Sequence, residues 1–570
     1  MAISVGWLAV PASIIAAGTC IGATRPTTPS PITHVIFIMQ ENRSFDEYFG
    51  TFPNANGIPQ GTCVPLNPSN PGLGCVAPYE DPHDGGPGGP HTAAAAQMDI
   101  DDGINQANMD GFVYAEITNS CQKKGSSCSD EVPSGATTYP VMGYHTAAEI
   151  PNYWSYAAHF VLQDALFEGI RGYSAVSHND IVSEWSAICK NKRLASTCVT
   201  NNILTAPKPT SAYPWVSLFQ LMDVNGVSWK YYLGEGLEPD CEDDEMTCAP
   251  EPQKAGVLSL WNPAPVFAWV QAGGPAYLQQ HNPPLEQFLA DVQNGTLPQV
   301  SWIVPSLGYS EHPLSGSDGG MDYVTSLVNA VMQSPYWQNT AIFIAWDDWG
   351  GFYDHVAPPN VDFNATSAPV QGFGLRVPGL LVSAYAKAAY IDHSVLSFDN
   401  YATFVENLFM NGARLDPTAL GNPDSRPDIR DELTSVTFLD GTTAPIGDLM
   451  TEFDFVDPPQ QPLILSTHIP TAIGVNCIAR GVVRNTEPCK GNTVTISWAS
   501  IQGPNMPGTF TYHVQRDGTE LPQCAGTTNS CVDMPPIGNH LYRAYSVDQY
   551  NVTSPLSAAA EADVTKLTKQ

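Results

Sequence analysis

The sequence predicts an α/β layer fold with a mainly parallel sheet across residues 30–455, followed by a small all-β module. Three observations carry that expectation. Short apolar runs alternate with amphipathic helical stretches, a proline cluster interrupts the chain near residue 460, and the hydrophobic period changes to two beyond it. Taken in order, Val35-Ile36-Phe37-Ile38-Met39 is a short apolar run of the kind that forms a strand buried on both faces. Phe160-Val161-Leu162, Val300-Ser301-Trp302-Ile303-Val304, Ala341-Ile342-Phe343-Ile344-Ala345-Trp346 and Gly379-Leu380-Leu381-Val382 supply further strands. Val324, Leu327, Val328 and Val331 have the spacing of one buried helix face. The Pro/Gly-rich stretches 53–90 and 238–265 are too long for tight connectors and are expected as loops over the active face, pinned by disulfides. Pro458-Pro459-Gln460-Gln461-Pro462 marks a linker over 456–466. After it Val494, Ile496 and Trp498 alternate, as do Phe510, Tyr512 and Val514 before the turn at Asp517-Gly518, and Leu541 to Val547 follows. Residues 467–566 therefore read as a β-sandwich.

A chain of 570 residues has room for a large catalytic domain with an appended module. Its 23 basic residues against 56 acidic ones repel a nucleic-acid backbone or an anionic membrane at long range, so nucleic acid is excluded as a partner. Residues 1–25 read as a secretory leader, apolar and uncharged up to Cys20, with Ala16-Ala17-Gly18 near the end of the run. Ala17-Gly18-Thr19 is a poor lipoprotein box, which argues against lipid anchoring at Cys20. The other twelve cysteines fall into six close pairs: 63 with 75, 121 with 128, 189 with 198, 241 with 248, 477 with 489, and 524 with 531. Local disulfides follow, and with them an oxidising, secreted or periplasmic setting. Asn294-Gly295-Thr296, Asn364-Ala365-Thr366 and Asn551-Val552-Thr553 match the glycosylation acceptor pattern.

Two of the apolar runs end in carboxylates. Met39 leads through Gln40 into Glu41 and Asn42, and Trp346 leads into Asp347 and Asp348. In open α/β sheets ligands bind beyond the carboxyl ends of strands, so neighbouring strands would bring these four residues to one mouth. Three acids this close require a compensating cation. Their oxygen donors favour one Mg, Ca or Mn ion, with Zn as an alternative. A nucleophile is offered by Gly172-Tyr173-Ser174-Ala175-Val176-Ser177-His178, just before a helical stretch with Ile181, Val182 and Trp185 on one face. A serine there lies in the positive end of the helix dipole, and this argument does not separate Ser174 from Ser177. His312 follows the strand at 300–304, while His91 and His355 lie in loops; each could hold phosphate oxygens or protonate a leaving group. His355 reads most readily as part of a packed turn.

The segment His34-Val35-Ile36-Phe37-Ile38-Met39-Gln40-Glu41-Asn42-Arg43-Ser44-Phe45-Asp46-Glu47-Tyr48-Phe49-Gly50 resembles the signature of the phosphoesterase family that contains bacterial phospholipases C and secreted acid phosphatases. Met109 to Val113, Val141 to Tyr144, Ser310 to Pro313, Trp346 to Val356 and Arg376 to Pro378 follow in the family's order, across roughly residues 32–412. The resemblance implies an alkaline-phosphatase-like fold and attack on phosphorus through a phosphoseryl enzyme. It implies Glu41, Asn42, Asp347 and Asp348 as metal ligands together with Ser174, which is also the nucleophile, and His91 and His312 in the phosphate pocket, with His83 as competitor for His91. The C-terminal module, with Trp498 and the run Tyr542 to Ser557, resembles fibronectin type III. The expectation is a secreted, metal-dependent, phospholipase C-like hydrolase, compatible with peripheral membrane or surface contact. Its alternatives are a broad acid phosphomonoesterase and an inactive binding or adhesion protein on the same fold. The sequence assigns no oligomeric state.

Overall fold

A computed structural model describes residues 30–83, 88–100, 108–123, 139–201, 212–239, 250–313, 315–359, 372–438, 441–466 and, beyond these, 470–479, 482–484, 489–490, 493–500, 511–526, 528, 530–547, 556–557 and 559–565. The leader, Cys20, the pairs 121–128 and 241–248, the side chains of 477 and 489, and the acceptor sites at 364 and 551 lie outside what it describes.

The catalytic-sized part is built on one seven-stranded sheet. Its strands are β1 (His34–Gln40), β2 (Val161–Gln163), β3 (Trp229–Leu233), β4 (Val300–Val304), β5 (Thr340–Trp346), β6 (Gly379–Ser383) and β7 (Tyr390–Asp392), in the order β3-β4-β1-β5-β6-β2-β7. Only β6 runs against the others; β1 is parallel to both β4 and β5, and β7 to β2. The central strands are buried along their whole length and are largely apolar, as strands covered on both faces are. Phe37 packs against Trp302, Phe343 and Tyr401 with ring centroids 5.1–5.7 Å apart, each such burial contributing roughly 1.5–3 kcal/mol.

The helices are α1 (Phe45–Phe49), α2 (Ala93–Ile100), α3 (Phe112–Lys123), α4 (Pro151–His159), α5 (Ser174–Ser183), α6 (Leu218–Asn225), α7 (Ala268–His281), α8 (Glu286–Asn294), α9 (Ser317–Met332) and α10 (Phe398–Phe409). Val324, Leu327, Val328 and Val331 lie buried on α9, as their spacing predicts. Two strands of this sheet were not anticipated: in β3 a charged residue, Lys230, interrupts the aromatic run, and β7, Tyr390-Ile391-Asp392, is three residues long and ends in an acid.

Beyond the linker, β8 (Pro470–Ala479), β9 (Val482–Arg484), β10 (Cys489–Lys490), β11 (Val494–Ser500), β12 (Thr511–Arg516), β13 (Thr519–Glu520), β14 (Ser530–Asp533), β15 (Gly538–Val547) and β16 (Ala560–Thr565) form sheets of four and five strands. Val494, Ile496 and Trp498 from one sheet bury against Tyr512, Val514, Tyr542 and Ala544 from the other. The module docks through Arg543, whose guanidinium bonds Glu149 at 2.7 Å and the Ala148 carbonyl at 3.2 Å. Disulfides join Cys63 to Cys75, Cys189 to Cys198 and Cys524 to Cys531, three of the six predicted pairs. Among the described residues no helix is long and apolar enough to cross a membrane.

Candidate active site

The pairing of β1 with β5 sets the site. Gln40 stands opposite Trp346, so the next residues, Glu41 and Asp347, emerge side by side at the carboxyl edge of the sheet. A slip of one residue would turn the side chains to the other face. Asn42 then adopts a left-handed conformation, φ 59°, which asparagine tolerates better than most residues. Its amide nitrogen donates to both Asp348 carboxylate oxygens at 2.8 and 2.9 Å, and its backbone N–H donates to Asp347 Oδ1 at 3.1 Å. Glu41, Asn42, Asp347 and Asp348 are all fully buried.

Ser174 is the first residue of α5, one position further into the helix than the sequence suggested, with Tyr173 as N-cap. Its hydroxyl donates to Glu41 Oε2 at 3.0 Å and lies 3.4 Å from Asp348 Oδ2. Ser177 is distinguished from it here, because the Ser177 hydroxyl donates to the Asp347 carbonyl at 2.7 Å. Trp185, expected on the helix face, lies beyond its end.

One turn after Ser174, His178 Nε2 lies 3.0 Å from Glu41 Oε1 and 3.7 Å from Asp347 Oδ2. Its Nδ1 meets the Tyr231 hydroxyl at 3.2 Å, and that hydroxyl in turn donates to the Trp261 carbonyl at 2.7 Å. Sequence reasoning gave His178 no role. The signal was its spacing of four from Ser174, which sets both side chains on one helix face.

Whether these residues suit a metal can be tested on their chemistry. Ligand atoms of Glu41, His178 and Asp347 lie within 4.8 Å of one another, and the buried Asn42 Oδ1 accepts no hydrogen bond among the described residues. Carboxylate, amide oxygen and imidazole are a normal donor set for a divalent cation. The negative field of the cluster reaches its neighbours: burial first, then Asp348 and Asp347, push the Glu168 carboxyl well above its usual range, and burial followed by Glu41 and Asp347 does the same to the Tyr231 hydroxyl.

His91 and His312 face each other with ring centroids 6.1 Å apart, both fully buried. His91 Nδ1 donates to the Gly89 carbonyl at 2.9 Å, which fixes its tautomer and orientation because a carbonyl can only accept. Gly350 (φ 63°) and Gly351 (φ 73°) let this loop sit close, since a Cβ on Gly351 would lie 2.4 Å from Gly89 backbone atoms. His83, the competitor, is elsewhere: its Nδ1 bonds Asp81 at 2.6 Å and its Nε2 approaches Glu561 of the β-module at 3.5 Å. His355 is also apart from the Ser174 cluster. It bonds Asp46 at 2.7 Å and Asn56 at 3.3 Å, beside the Arg376–Asp46–Asp354 ion pairs, as a packed turn requires.

The loop bearing His312 is held from behind. Glu311, at φ 69°, accepts hydrogen bonds from Tyr48 (2.7 Å), Tyr153 (2.5 Å), Gln40 (3.1 Å) and Trp346 (3.0 Å), while Arg43 grips its carbonyl at 2.6 and 2.9 Å. Arg43 also pairs with Glu47 at 2.5 Å. Both Pro/Gly-rich stretches reach the site, the first through Gly89 and His91, the second through Trp261.

Strand-end carboxylates gathered around a helix-borne serine define the class, an α/β protein with a candidate metal-binding cluster at the carboxyl edge of its sheet. The model of the Phosphoesterase family matches residues 32–410, and the chain belongs to that family. It is similar to a non-hemolytic phospholipase C of Burkholderia pseudomallei, 26% identical over 70% of this chain and 58% of that protein. It is also similar to phospholipase C B of Mycobacterium tuberculosis, 24% identical over 78% of this chain and 80% of that one. The chain thus spans less than two thirds of the Burkholderia relative's length. A solved structure of an alkaline phosphatase superfamily protein from Vibrio parahaemolyticus matches with a TM-score of 0.27 and 10% identity, covering 72% of this chain and 76% of that one.

Proposed function

We propose that this protein is a secreted, metal-dependent phosphoester hydrolase acting through a phosphoserine on Ser174, with phospholipid phosphodiesters as its first substrate class. The observation that carries the reading is the Ser174 hydroxyl at the N-terminus of a ten-residue helix, 3.0 Å from Glu41 Oε2. The relatives named as phospholipases C support the substrate class. The three disulfides support export. An alkaline-phosphatase-like catalytic fold, a fibronectin III-like module and peripheral contact with a membrane surface belong to the same proposal.

Glu41, Asn42, Asp347, Asp348 and His178 would hold the cation, and Ser174 would join them. When bound, it supplies Lewis-acid stabilisation of negative charge on phosphoryl and serine oxygens. The imidazole widens the choice of metal beyond the oxygen-only set to include zinc and its neighbours. Ser174 Oγ attacks phosphorus while its proton passes to Glu41 Oε2. The free N–H groups at the start of α5 meet the phosphoryl oxygens. As the bond from phosphorus to the leaving oxygen breaks, His312 or His91 delivers a proton to that oxygen. Water then cleaves the Oγ–P bond, releasing phosphate or a phosphorylated headgroup.

The test compares p-nitrophenyl phosphate with p-nitrophenyl phosphorylcholine, each with metal and with EDTA. Chelation is expected to lower either rate at least 100-fold, and the diester is expected to be preferred; activity that survives chelation would refute the metal requirement. A preference for the monoester would select the acid phosphatase reading.

Burial pushes Glu47 up to about 8 and Glu311 up to about 7, against Arg43 and, for Glu311, against the hydroxyls of Tyr153 and Tyr48. A carboxyl raised on folding binds its proton more tightly in the native state, so stability is greatest below the ordinary carboxylate range and falls as pH rises towards the native value. Thermal melts are therefore expected to show stability declining from pH 5 to pH 8 by a few kcal/mol. Replacement of Glu311 by glutamine is expected to flatten that slope between pH 5 and pH 7 while lowering stability at every pH, because one amide cannot accept from four donors.

A further inference from the structure

Ten residues of α5 carry Ser174 at one end; the other end, about 15 Å away along the axis, meets a second group of acids. Glu184 caps the helix in a left-handed conformation, φ 52° and ψ 25°, with its backbone N–H donating to the Asp180 carbonyl at 2.6 Å. Such a conformation is unusual for a residue with a side chain and needs a reason to persist. Glu184, Glu406 on α10 and Asp431 each bring a carboxylate oxygen to within 4.8 Å of the others. The three residues are 2%, 0% and 5% exposed.

Both Glu184 carboxylate oxygens are buried and accept no hydrogen bond among the described residues. Glu406 spends one oxygen on Arg414 at 3.1 Å and Asp431 spends one on the Leu415 N–H at 2.8 Å, and the two carboxyls hydrogen-bond each other, so Glu184 alone of the three has both oxygens without a hydrogen bond. Two neighbouring arginines bond other acids, Arg430 to Asp399 and Arg426 to Asp424, and Arg426 offsets only part of the rise at Glu184. Burial, then the neighbouring acids, raises the carboxyls of Glu184 and Glu406; burial raises that of Asp431 as well. Such a group is satisfied either by shared protons or by a cation. Three acids drawn from the end of one helix, the body of another and a turn are arranged as a chelate, and oxygen donors alone suit a hard ion.

We infer that Glu184, Glu406 and Asp431 form a second cation site, for a divalent ion of the Ca2+ type, separate from the cluster around Ser174. Its role is structural. The ion ties the end of α5 to α10 and to the turn at Arg430–Glu432, and so fixes the helix whose first residue is Ser174.

The test uses the full chain with Asp347→Asn, so that the first cluster is disabled, freed of metal by EDTA and dialysis. Calcium is expected to raise its melting temperature by a few degrees and to bind at one ion per chain in equilibrium dialysis. Both effects are expected to vanish when Glu184→Gln is added. If that variant does not fold, Asp431→Asn takes its place. No bound calcium in Asp347→Asn, or the same melting shift with and without Glu184→Gln, would overturn the assignment. So would a Glu184→Gln protein stabilised irrespective of calcium, the mark of carboxyls that share protons.

Discussion

Ser174→Ala is expected to lower phosphoester hydrolysis by on the order of 10⁴-fold or more, the scale seen when a catalytic nucleophile is removed. The substitution deletes one oxygen from a fully buried position. It leaves Glu41 without its 3.0 Å donor but keeps the partners of Asp347 and Asp348 in Asn42 and Gly350. The fold should survive, and the measurement is kcat for the better p-nitrophenyl substrate alongside a thermal melt. A parallel Ser177→Ala variant separates position from chemistry. The Ser177 hydroxyl is engaged by the Asp347 carbonyl, so its loss should cost about 1 kcal/mol of stability and leave most of the activity. Rates that fell for Ser177→Ala and held for Ser174→Ala would reverse the assignment of the two serines.

The largest loss of stability is expected at Arg376. Its guanidinium is fully buried over the Phe45 ring, 4.3 Å from the centroid. It donates to Asp46 at 2.9 Å, to Asp354 at 3.0 and 3.1 Å, and to the carbonyls of Asn56 and Asp164 at 2.7 and 2.8 Å. Arg376→Ala removes one charge and abandons two buried carboxylates as well as two carbonyls. Losing one partner of a buried ion pair costs about 3–5 kcal/mol, far more than the intact pair contributes. The urea midpoint should fall accordingly. Arg376→Lys keeps the charge but not the fork of donors, and should recover only part of the loss. A midpoint unchanged in Arg376→Ala would refute the role of these ion pairs in stability.

The four strand-end candidates Glu41, Asn42, Asp347 and Asp348 were legible because they lie at the ends of two apolar runs, and a parallel pair forces residues just past matched ends together. The serine was legible to within three positions. The helix-dipole argument leaves Ser174 and Ser177 open and the family resemblance favours Ser174; the fold distinguishes them physically, giving one hydroxyl to Glu41 and the other to a carbonyl. His178 was overlooked because a histidine inside a helix has no local mark of function; its meaning comes from Glu41, which lies 137 residues away in sequence. His91 and His83 occupy equally loop-like sequence, and what separates them is that Gly89 packs on the Gly350-Gly351 turn while His83 meets the β-module. The edge strand β3 was missed because Lys230 breaks its pattern, although that ammonium reaches out to Asp291 at 2.5 Å.

The match of Gln40 with Trp346 has a consequence for the life history of the molecule. Glu41 and Asp347 belong to segments that meet only once a long stretch of chain has folded between them, so an unfolded polypeptide carries the ligands but no site. Cation capture is then coupled to the closing of β1 on β5, and it stabilises only chains that have closed. A chelator present during refolding is therefore expected to lower the stability of the closed chain without changing the unfolded one.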